Sequence, residues 1–190
     1  MRQLVVMLSL IVALMLFALP AYAESATDFE MSDSKGNSYT LSDLLEKNPF
    51  IVIDFWSVEC KPCNLWLPSL KKITDKYKDN GVRLVIISQD TSLTQSKIEP
   101  FLRSMKIDNL VLLDPELEVS DQFNVTSIPT TLIIDKDLQI RYRHSGFVTG
   151  FEKEFETKLQ EIIGYKAVEI VKEQPEEKST SSSESKPESK

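Results

Sequence analysis

The two cysteines of this chain lie close together after an apolar run, and this placement limits what the chain can fold into. Cys60 and Cys63 are the only cysteines among 190 residues. The preceding residues 50–56 are apolar except for Asp54, which is typical of a buried central strand. Apolar residues at helical spacing follow over 62–79. The cysteines are therefore expected at a strand-to-helix junction, where free N–H groups and the helix dipole favour a thiolate.

The two thiols are expected to differ in exposure. Cys60 would lie at the exposed helix end and Cys63 in the first turn, facing inward. Two intervening residues allow a small disulfide ring that opens and closes without refolding, which indicates redox chemistry rather than a structural disulfide. A zinc site of Cys and His is disfavoured, because there is no second cysteine pair and His144 is the only histidine. We expect no metal and no organic cofactor, since the Cys60–Cys63 pair is itself the redox group.

The first 23 residues have the pattern of a secretory signal peptide. Arg2 precedes an apolar stretch over 4–19, Pro20 ends it, and Ala-Tyr-Ala at 21–23 provides small residues for cleavage after Ala23. An uncleaved membrane anchor is the alternative, but the stretch is short for a membrane span. We expect an exported protein of the periplasm or cell envelope, with no stable membrane insertion after cleavage.

Length and charge predict the domain organisation. The chain without its leader has roughly 165 residues, which suits one domain over 24–171. Residues 172–190 are almost entirely Ser, Glu, Lys and Pro, so we expect a disordered, solvated tail. The net charge is −7, and loss of Arg2 makes it more negative. An acidic chain without a basic cluster argues against nucleic acid or an anionic membrane surface as a partner.

Strand and helix patterns alternate along the predicted domain. Strands are expected over 50–56, 82–88, 110–113, 130–135 and 138–144, the last two as a hairpin. Helices are expected over 62–79, 93–105, 116–123 and 151–164, together with a short helix that Thr40 caps. Pro100 suggests a kink or a late start in the second of the long helices. This alternation predicts an α/β sandwich with a mixed central sheet. Residues 165–171 are left open, as an added strand or an extended packing segment.

Several motifs resemble the thioredoxin superfamily. Residues 54–63, Asp-Phe-Trp-Ser-Val-Glu-Cys-Lys-Pro-Cys, look like the active-site segment of thioredoxins. Pro68 matches the proline that kinks the active-site helix, and Ile-Pro-Thr at 128–130 matches the segment whose cis proline lies beside the disulfide. Residues 29–45 resemble the exported TlpA and ResA branch, in which an N-terminal hairpin and short helix precede the core. The resemblance implies a thioredoxin-like three-layer sandwich and a thiol–disulfide oxidoreductase.

The resemblance also implies roles for three residues. Cys60 would be the attacking thiolate, and Cys63 the resolving thiol that attacks the mixed disulfide from within. Asp54 would be a buried acid below Cys63 that exchanges its proton. A carboxylate in an apolar strand costs several kcal/mol without a partner, so the pKa of Asp54 is expected to rise. The alternative for Asp54 is a structural acid tied to a hydroxyl, a lysine or water.

Residues around the cysteines are expected to support the site. Trp56 would pack near it, and Pro62 can begin the helix without losing a hydrogen bond. Lys61 would favour a Cys60 anion, whereas Glu59 would oppose it. The family usually has tryptophan where Glu59 stands.

The segment at 128–130 is expected to contact client proteins. By resemblance, a cis Pro129 places the Ile128 backbone where a client chain can pair with it, and proline makes a cis bond cheap. An ordinary trans turn proline is the alternative.

Three other functions were weighed against the oxidoreductase. A Sco-like copper carrier would use His144, but its cysteines are normally three residues apart rather than two. A peroxiredoxin-like peroxidase would need a hydroxyl and an arginine near its cysteine; Ser57 precedes Cys60, but the opening proline of that motif is absent. A non-enzymatic binding module has no need of both thiols. We therefore predict an exported monomer that acts on protein thiols and disulfides, as a reductase fed by a membrane thiol donor, with cytochrome c maturation as one possible pathway.

Overall fold

A mixed five-stranded sheet forms the centre of the computed structural model, which describes residues 24–164. Its strands are β3 (Phe50–Trp56), β4 (Val82–Ser88), β5 (Leu110–Leu113), β6 (Thr130–Asp135) and β7 (Ile140–Ser145). Their order across the sheet is β5-β4-β3-β6-β7. Strand β3 pairs in parallel with β4 and antiparallel with β6, so the predicted mixed sheet is confirmed. The predicted signal peptide over 1–23, the segment 165–171 and the tail over 172–190 lie outside the described residues.

Helices cover both faces of this sheet. They are α1 (Leu41–Lys47), α2 (Lys61–Lys76), α3 (Ile98–Ser104), α4 (Glu118–Gln122) and α5 (Phe151–Ile162). Buried side chains of α2, α3 and α5 form one core cluster with one face of the sheet. Buried side chains of α1 form a second cluster with the opposite face of the sheet. Val119 of α4 and Phe123, which follows α4, belong to the same cluster. This arrangement is the predicted three-layer sandwich. Within the described range, none of the helices has the length and apolar character needed to cross a membrane.

Strand β3 contributes to both clusters, because successive side chains of a strand point to opposite faces. Ile51, Ile53 and Phe55 belong to the cluster with α1, whereas Val52 and Trp56 belong to the cluster with α2. Asp54 falls between Val52 and Trp56 in this alternation. Its carboxyl group is therefore directed into the layer that holds α2.

The predicted N-terminal extension is present. Strands β1 (Glu30–Ser32) and β2 (Ser38–Thr40) form an antiparallel hairpin that leads into α1. Thr40 caps α1 as predicted, since its Oγ1 accepts a 3.1 Å hydrogen bond from the backbone N–H of Asp43.

The first described residues lie along the start of β7. The N–H of Ile140 donates to the carbonyl of Glu24 at 2.8 Å, and the N–H of Ala26 donates to the carbonyl of Leu138 at 2.7 Å. The Glu24 carboxylate also forms a 2.6 Å ion pair with Arg143. Residues 24–26 therefore pair through their backbone with the outer strand of the sheet near its start.

Several element boundaries differ from the prediction. Helix α2 ends at Lys76 rather than residue 79, and a 3-10 turn over Lys78–Asn80 leads to Gly81. Gly81 has φ +81, and a Cβ there would lie 2.5 Å from Cγ of Pro49. Helix α3 begins at Ile98, so Pro100 lies in its first turn, which is the late start that the sequence allowed.

Strand β7 begins two residues later than predicted, and the turn before it explains why. The Asp135 carboxylate accepts hydrogen bonds from the N–H groups of Asp137 and Gln139, at 2.9 Å and 3.0 Å. These bonds hold the chain in a turn through Leu138, whose φ is +57. Helix α4 is also shorter than predicted, because it begins only after Leu117, another residue with positive φ.

Candidate active site

Cys60 and Cys63 form a disulfide at the N-terminus of α2. Cys60 is the N-cap residue, and its Sγ accepts a 3.2 Å hydrogen bond from the N–H of Cys63. Cys60 is half-buried, whereas Cys63 has no exposed surface. One sulfur is therefore accessible at the helix end and the other is not, as the sequence predicts; their separate chemical roles remain predictions.

A buried carboxylate that the sequence analysis missed holds the loop before Cys60. Oδ2 of Asp90 accepts hydrogen bonds from the N–H of Val58 at 3.0 Å and from the hydroxyl of Ser88 at 2.9 Å. Asp90 is 3% exposed. Val58 follows β3 and Asp90 follows β4, and the two residues meet because these neighbouring parallel strands end at the same edge of the sheet, a pairing that no local sequence pattern indicates.

The side chain of Asn64 also holds this loop, through two hydrogen bonds. Its Oδ1 accepts a 3.0 Å hydrogen bond from Nε1 of Trp56, and its Nδ2 donates a 2.9 Å bond to the carbonyl of Val58. Trp56 is fully buried, and its ring lies 6.0 Å from that of Phe101. The predicted packing of Trp56 near the site is observed, with this hydrogen bond in addition.

Asp54 lies in the core, on the face of the sheet that α2 covers. It is fully buried, and its Oδ1 accepts a 2.8 Å hydrogen bond from the hydroxyl of Thr131. Oγ1 of Thr131 accepts in turn a 2.9 Å bond from Nε1 of Trp66. Oδ2 of Asp54 has no hydrogen-bond partner among the described residues. Burial raises the pKa of Asp54 to about 7, and the hydrogen bonds from Thr131 and Trp66 oppose that rise.

The charges around Cys60 are partly paired. The Glu59 carboxylate lies 3.5 Å from Nζ of Lys97, and both side chains are mostly exposed. No sequence pattern indicated Lys97 as a partner of Glu59; its positive charge offsets the negative charge expected to oppose a Cys60 anion. Lys61 is exposed, and Pro62 lies in the first turn of α2, where its missing N–H costs no hydrogen bond.

The Ile128–Pro129 peptide bond is cis, as the resemblance implied. The next residue, Thr130, begins β6 opposite Phe55 of β3. This register brings Pro129 to the end of the sheet from which the Cys60 loop emerges. The client-docking role of Ile128 and Pro129 remains a prediction.

His144, the histidine that a copper carrier would use, packs against an aromatic ring. It is half-buried, and its ring stacks on that of Phe151 with the centroids 3.8 Å apart. Strand pairing places it opposite Thr131. Between residues 24 and 164, no group of three or more His, Cys, Asp or Glu side chains is arranged to hold a metal ion.

Comparisons with known proteins agree with this geometry. The family model described as "AhpC/TSA family" matches residues 22–143. "Thiol-disulfide oxidoreductase ResA" of Geobacillus kaustophilus is 28% identical over 142 residues, which are 75% of this chain and 78% of that protein. The ResA protein of Bacillus cereus is 28% identical over 139 residues, 73% of this chain and 77% of that protein. The crystal structure of a putative thiol:disulfide interchange protein DsbE from Chlorobium tepidum has a TM-score of 0.67 and 25% identity, covering 75% of this chain and 97% of that one.

Proposed function

Because the chain belongs to the AhpC/TSA family and has a thioredoxin-like fold, we propose that Cys60 and Cys63 exchange disulfides with cysteines of other proteins. The predicted enzyme class, a thioredoxin-like thiol–disulfide oxidoreductase, is confirmed by the names of its curated relatives. One observation carries the proposal: a disulfide at a helix N-terminus, with one half-buried and one buried sulfur, on the sheet face to which Asp54 is directed.

The first step belongs to Cys60 in the reduced protein. The helix N-terminus stabilises its thiolate, which attacks one sulfur of a client disulfide. A bond forms between Sγ of Cys60 and the client sulfur, while the client S–S bond breaks. The departing client sulfur leaves as a thiolate and takes a proton from solvent.

The second step belongs to Cys63. Its buried thiol transfers a proton to the Asp54 carboxylate, and the resulting thiolate attacks Sγ of Cys60. The Cys60–Cys63 bond forms, and the second client sulfur leaves as a thiolate that takes up a proton. The client has then gained two electrons from the cysteine pair and two protons from solvent, and Asp54 releases to solvent the proton that it took from Cys63.

We propose the reductase direction for this exchange. Each cycle then needs a dithiol donor, for which a membrane thiol protein is the proposed source, and no other cofactor. The signal-peptide pattern and the TlpA and ResA resemblance support export to the periplasm or cell envelope, where we propose that the protein acts as a monomer. Curated relatives named ResA support the same branch. By the resemblance to that branch, we propose apocytochrome c as one candidate client.

Equilibration with glutathione buffers tests the direction. The fraction of the Cys60–Cys63 disulfide is measured by acid quenching, alkylation and mass spectrometry. A reductase is expected near or below the thioredoxin value of about −270 mV, and a value above about −180 mV would overturn the reductase direction. Insulin reduction tests exchange itself: activity that survives in Cys60→Ser would overturn the exchange proposal.

A peroxidase is less well supported, since its cysteine would need an arginine nearby. Three of the arginines within residues 24–164 pair with carboxylates: Arg103 with Glu99, Arg141 with Asp135, and Arg143 with Glu24. Arg83 lies at the start of β4, the end of the sheet opposite the Cys60 loop. We therefore expect the purified protein to reduce insulin and not hydrogen peroxide.

A further inference from the structure

The Asp54 carboxyl group is hydrogen-bonded on one oxygen only. Oδ1 accepts from Thr131, which accepts from Trp66, whereas Oδ2 has no partner among the described residues. We propose that Thr131 and Trp66 are positioning residues that make Oδ2 of Asp54 the oxygen that exchanges a proton with Cys63. This inference rests on the proposed function, in which Asp54 accepts that proton.

The donor and acceptor groups of Trp66, Thr131 and Asp54 determine which atom carries the hydrogen in each bond. An indole N–H can only donate, so Nε1 of Trp66 must give its hydrogen to Oγ1 of Thr131. The Thr131 hydroxyl has a single hydrogen, and its only hydrogen-bond acceptor in the described range is Oδ1 of Asp54. Oδ1 is therefore held as an acceptor whether Asp54 is neutral or ionised, and the proton of the neutral acid belongs on Oδ2.

The fold holds the side chains of Asp54, Thr131 and Trp66 in fixed positions. Asp54 and Thr131 are direct partners in the β3–β6 register. Trp66 is fully buried, and its ring lies within 5.4 Å of the rings of Phe147, Phe151 and Phe155. Three segments of the chain thus fix the orientation of one carboxyl group.

Trp66, the first donor in this series of hydrogen bonds, lies on the same helix as the two cysteines. It lies three residues after Cys63 on α2, and residues at that spacing share a helix face. Both side chains are fully buried in the same core cluster. Cys63, the resolving thiol, and Trp66, which donates to Thr131, therefore lie on the same face of α2.

Removal of the Thr131 hydroxyl takes away the hydrogen bond that Oδ1 of Asp54 accepts. Because this hydrogen bond favours the ionised form, its loss raises the pKa of Asp54 further above about 7. A hydrogen bond to a charged group is worth enough to change the ionisation equilibrium about tenfold. Thr131→Val is expected to slow the Cys63 step about fivefold at pH 7, because the ionised fraction of Asp54 falls from about one half to about one tenth; the rate should recover at higher pH.

Stopped-flow tryptophan fluorescence measures that step. Reduced protein is mixed with increasing oxidised glutathione at pH 5 to 9, and the concentration-independent limiting rate reports the attack by Cys63. Thr131→Val should move the pH midpoint upward by about one pH unit, and Thr131→Ser, which keeps the hydroxyl, should restore the wild-type profile. In an Asp54→Asn background, Thr131→Val should change the limiting rate no further. Equal slowing at every pH, or equal slowing in the Asp54→Asn background, would overturn the proposal.

A second measurement does not depend on activity. Infrared titration of the carboxyl band, with Asp54→Asn as the reference, reports Asp54 directly in oxidised protein. The midpoint should be higher in Thr131→Val and in Trp66→Phe than in wild type, and an unchanged midpoint in both would overturn the inference. Absence of all disulfide exchange in the wild type would instead refute the proposed function, while the infrared titration would still decide the role of Thr131 and Trp66.

Discussion

Nε1 of Trp56 lies 3.0 Å from Oδ1 of Asn64, so the last residue of β3 is hydrogen-bonded to the first turn of α2. The same amide donates to the carbonyl of Val58, within the loop that these elements enclose. One side chain therefore satisfies a buried indole and holds the backbone two residues before Cys60.

Asn64→Ala should destabilise the protein by about 1–3 kcal/mol, because the indole N–H of Trp56 loses its partner inside the core. Urea unfolding of the oxidised protein measures this change. Leu65→Ala is the matched control, since Leu65 is the next residue of α2 and is 68% exposed. Equal unfolding midpoints for the two variants would contradict the structural role of Asn64.

Cys63→Ser should accumulate mixed disulfides with client proteins, because no thiol remains to release them. Cys60→Ser should accumulate few, since Cys63 is fully buried. Non-reducing gels and mass spectrometry of cell-envelope extracts make the comparison. In the reduced wild type, faster alkylation of Cys63 than of Cys60 at neutral pH would show that the roles are reversed.

The stability of the oxidised protein should fall as the pH rises from 4 to 8, relative to Asp54→Asn. Folding raises the pKa of Asp54 from 3.8 to about 7, so the folded state favours the protonated form. The stabilisation from that proton is complete below pH 4 and is lost as the pH passes 7. The full change corresponds to roughly 4 kcal/mol.

Urea unfolding of both proteins at each pH checks this expectation. At pH 8, Asp54→Asn should be at least as stable as wild type, because its amide has no charge to desolvate. Parallel pH curves would contradict a buried titrating carboxyl. If Asp54→Asn were less stable at every pH but fully active in insulin reduction, Asp54 would have only a structural role.

Glu59→Gln should raise the alkylation rate of Cys60 at pH 6, by about twofold at low salt. The variant removes a negative charge beside the thiolate and leaves the ammonium group of Lys97 unpaired. Lys97→Gln should act in the opposite direction, because Glu59 then has no counter-charge. Both effects should disappear in about 1 M salt, since the two side chains are mostly exposed and their field is screened. Identical rates in both variants at low salt would show that this ion pair does not influence Cys60.

Local patterns of apolar residues predicted the buried strands well and the start of one helix less well. Residues 50–56 and 82–88 match β3 and β4, because buried parallel strands are continuous apolar runs. The helix expected over 93–105 was too long at its start. Leu93 is 86% exposed, and a 3-10 turn precedes Ile98, so only the part after the turn is α-helical.

The supporting residues of the site could not be predicted in the same way. The apolar strand around Asp54 predicted a buried acid with a raised pKa. Its partner Thr131 is 77 residues away in sequence and meets it only through the β3–β6 register. Val58 and Asp90 are 32 residues apart and meet because two parallel strands end at the same edge. Pairing between strands is a property of the assembled sheet, and no single segment contains it.

Residues 24–26 have a consequence for self-association. A strand at the edge of a sheet presents free N–H and carbonyl groups, and a second copy of the chain can pair with them and begin an aggregate. At the start of β7, Glu24 and Ala26 already occupy the backbone groups of Ile140 and Leu138. The chain thus covers part of its own outermost strand, and a second copy cannot pair with these backbone groups while residues 24–26 occupy them.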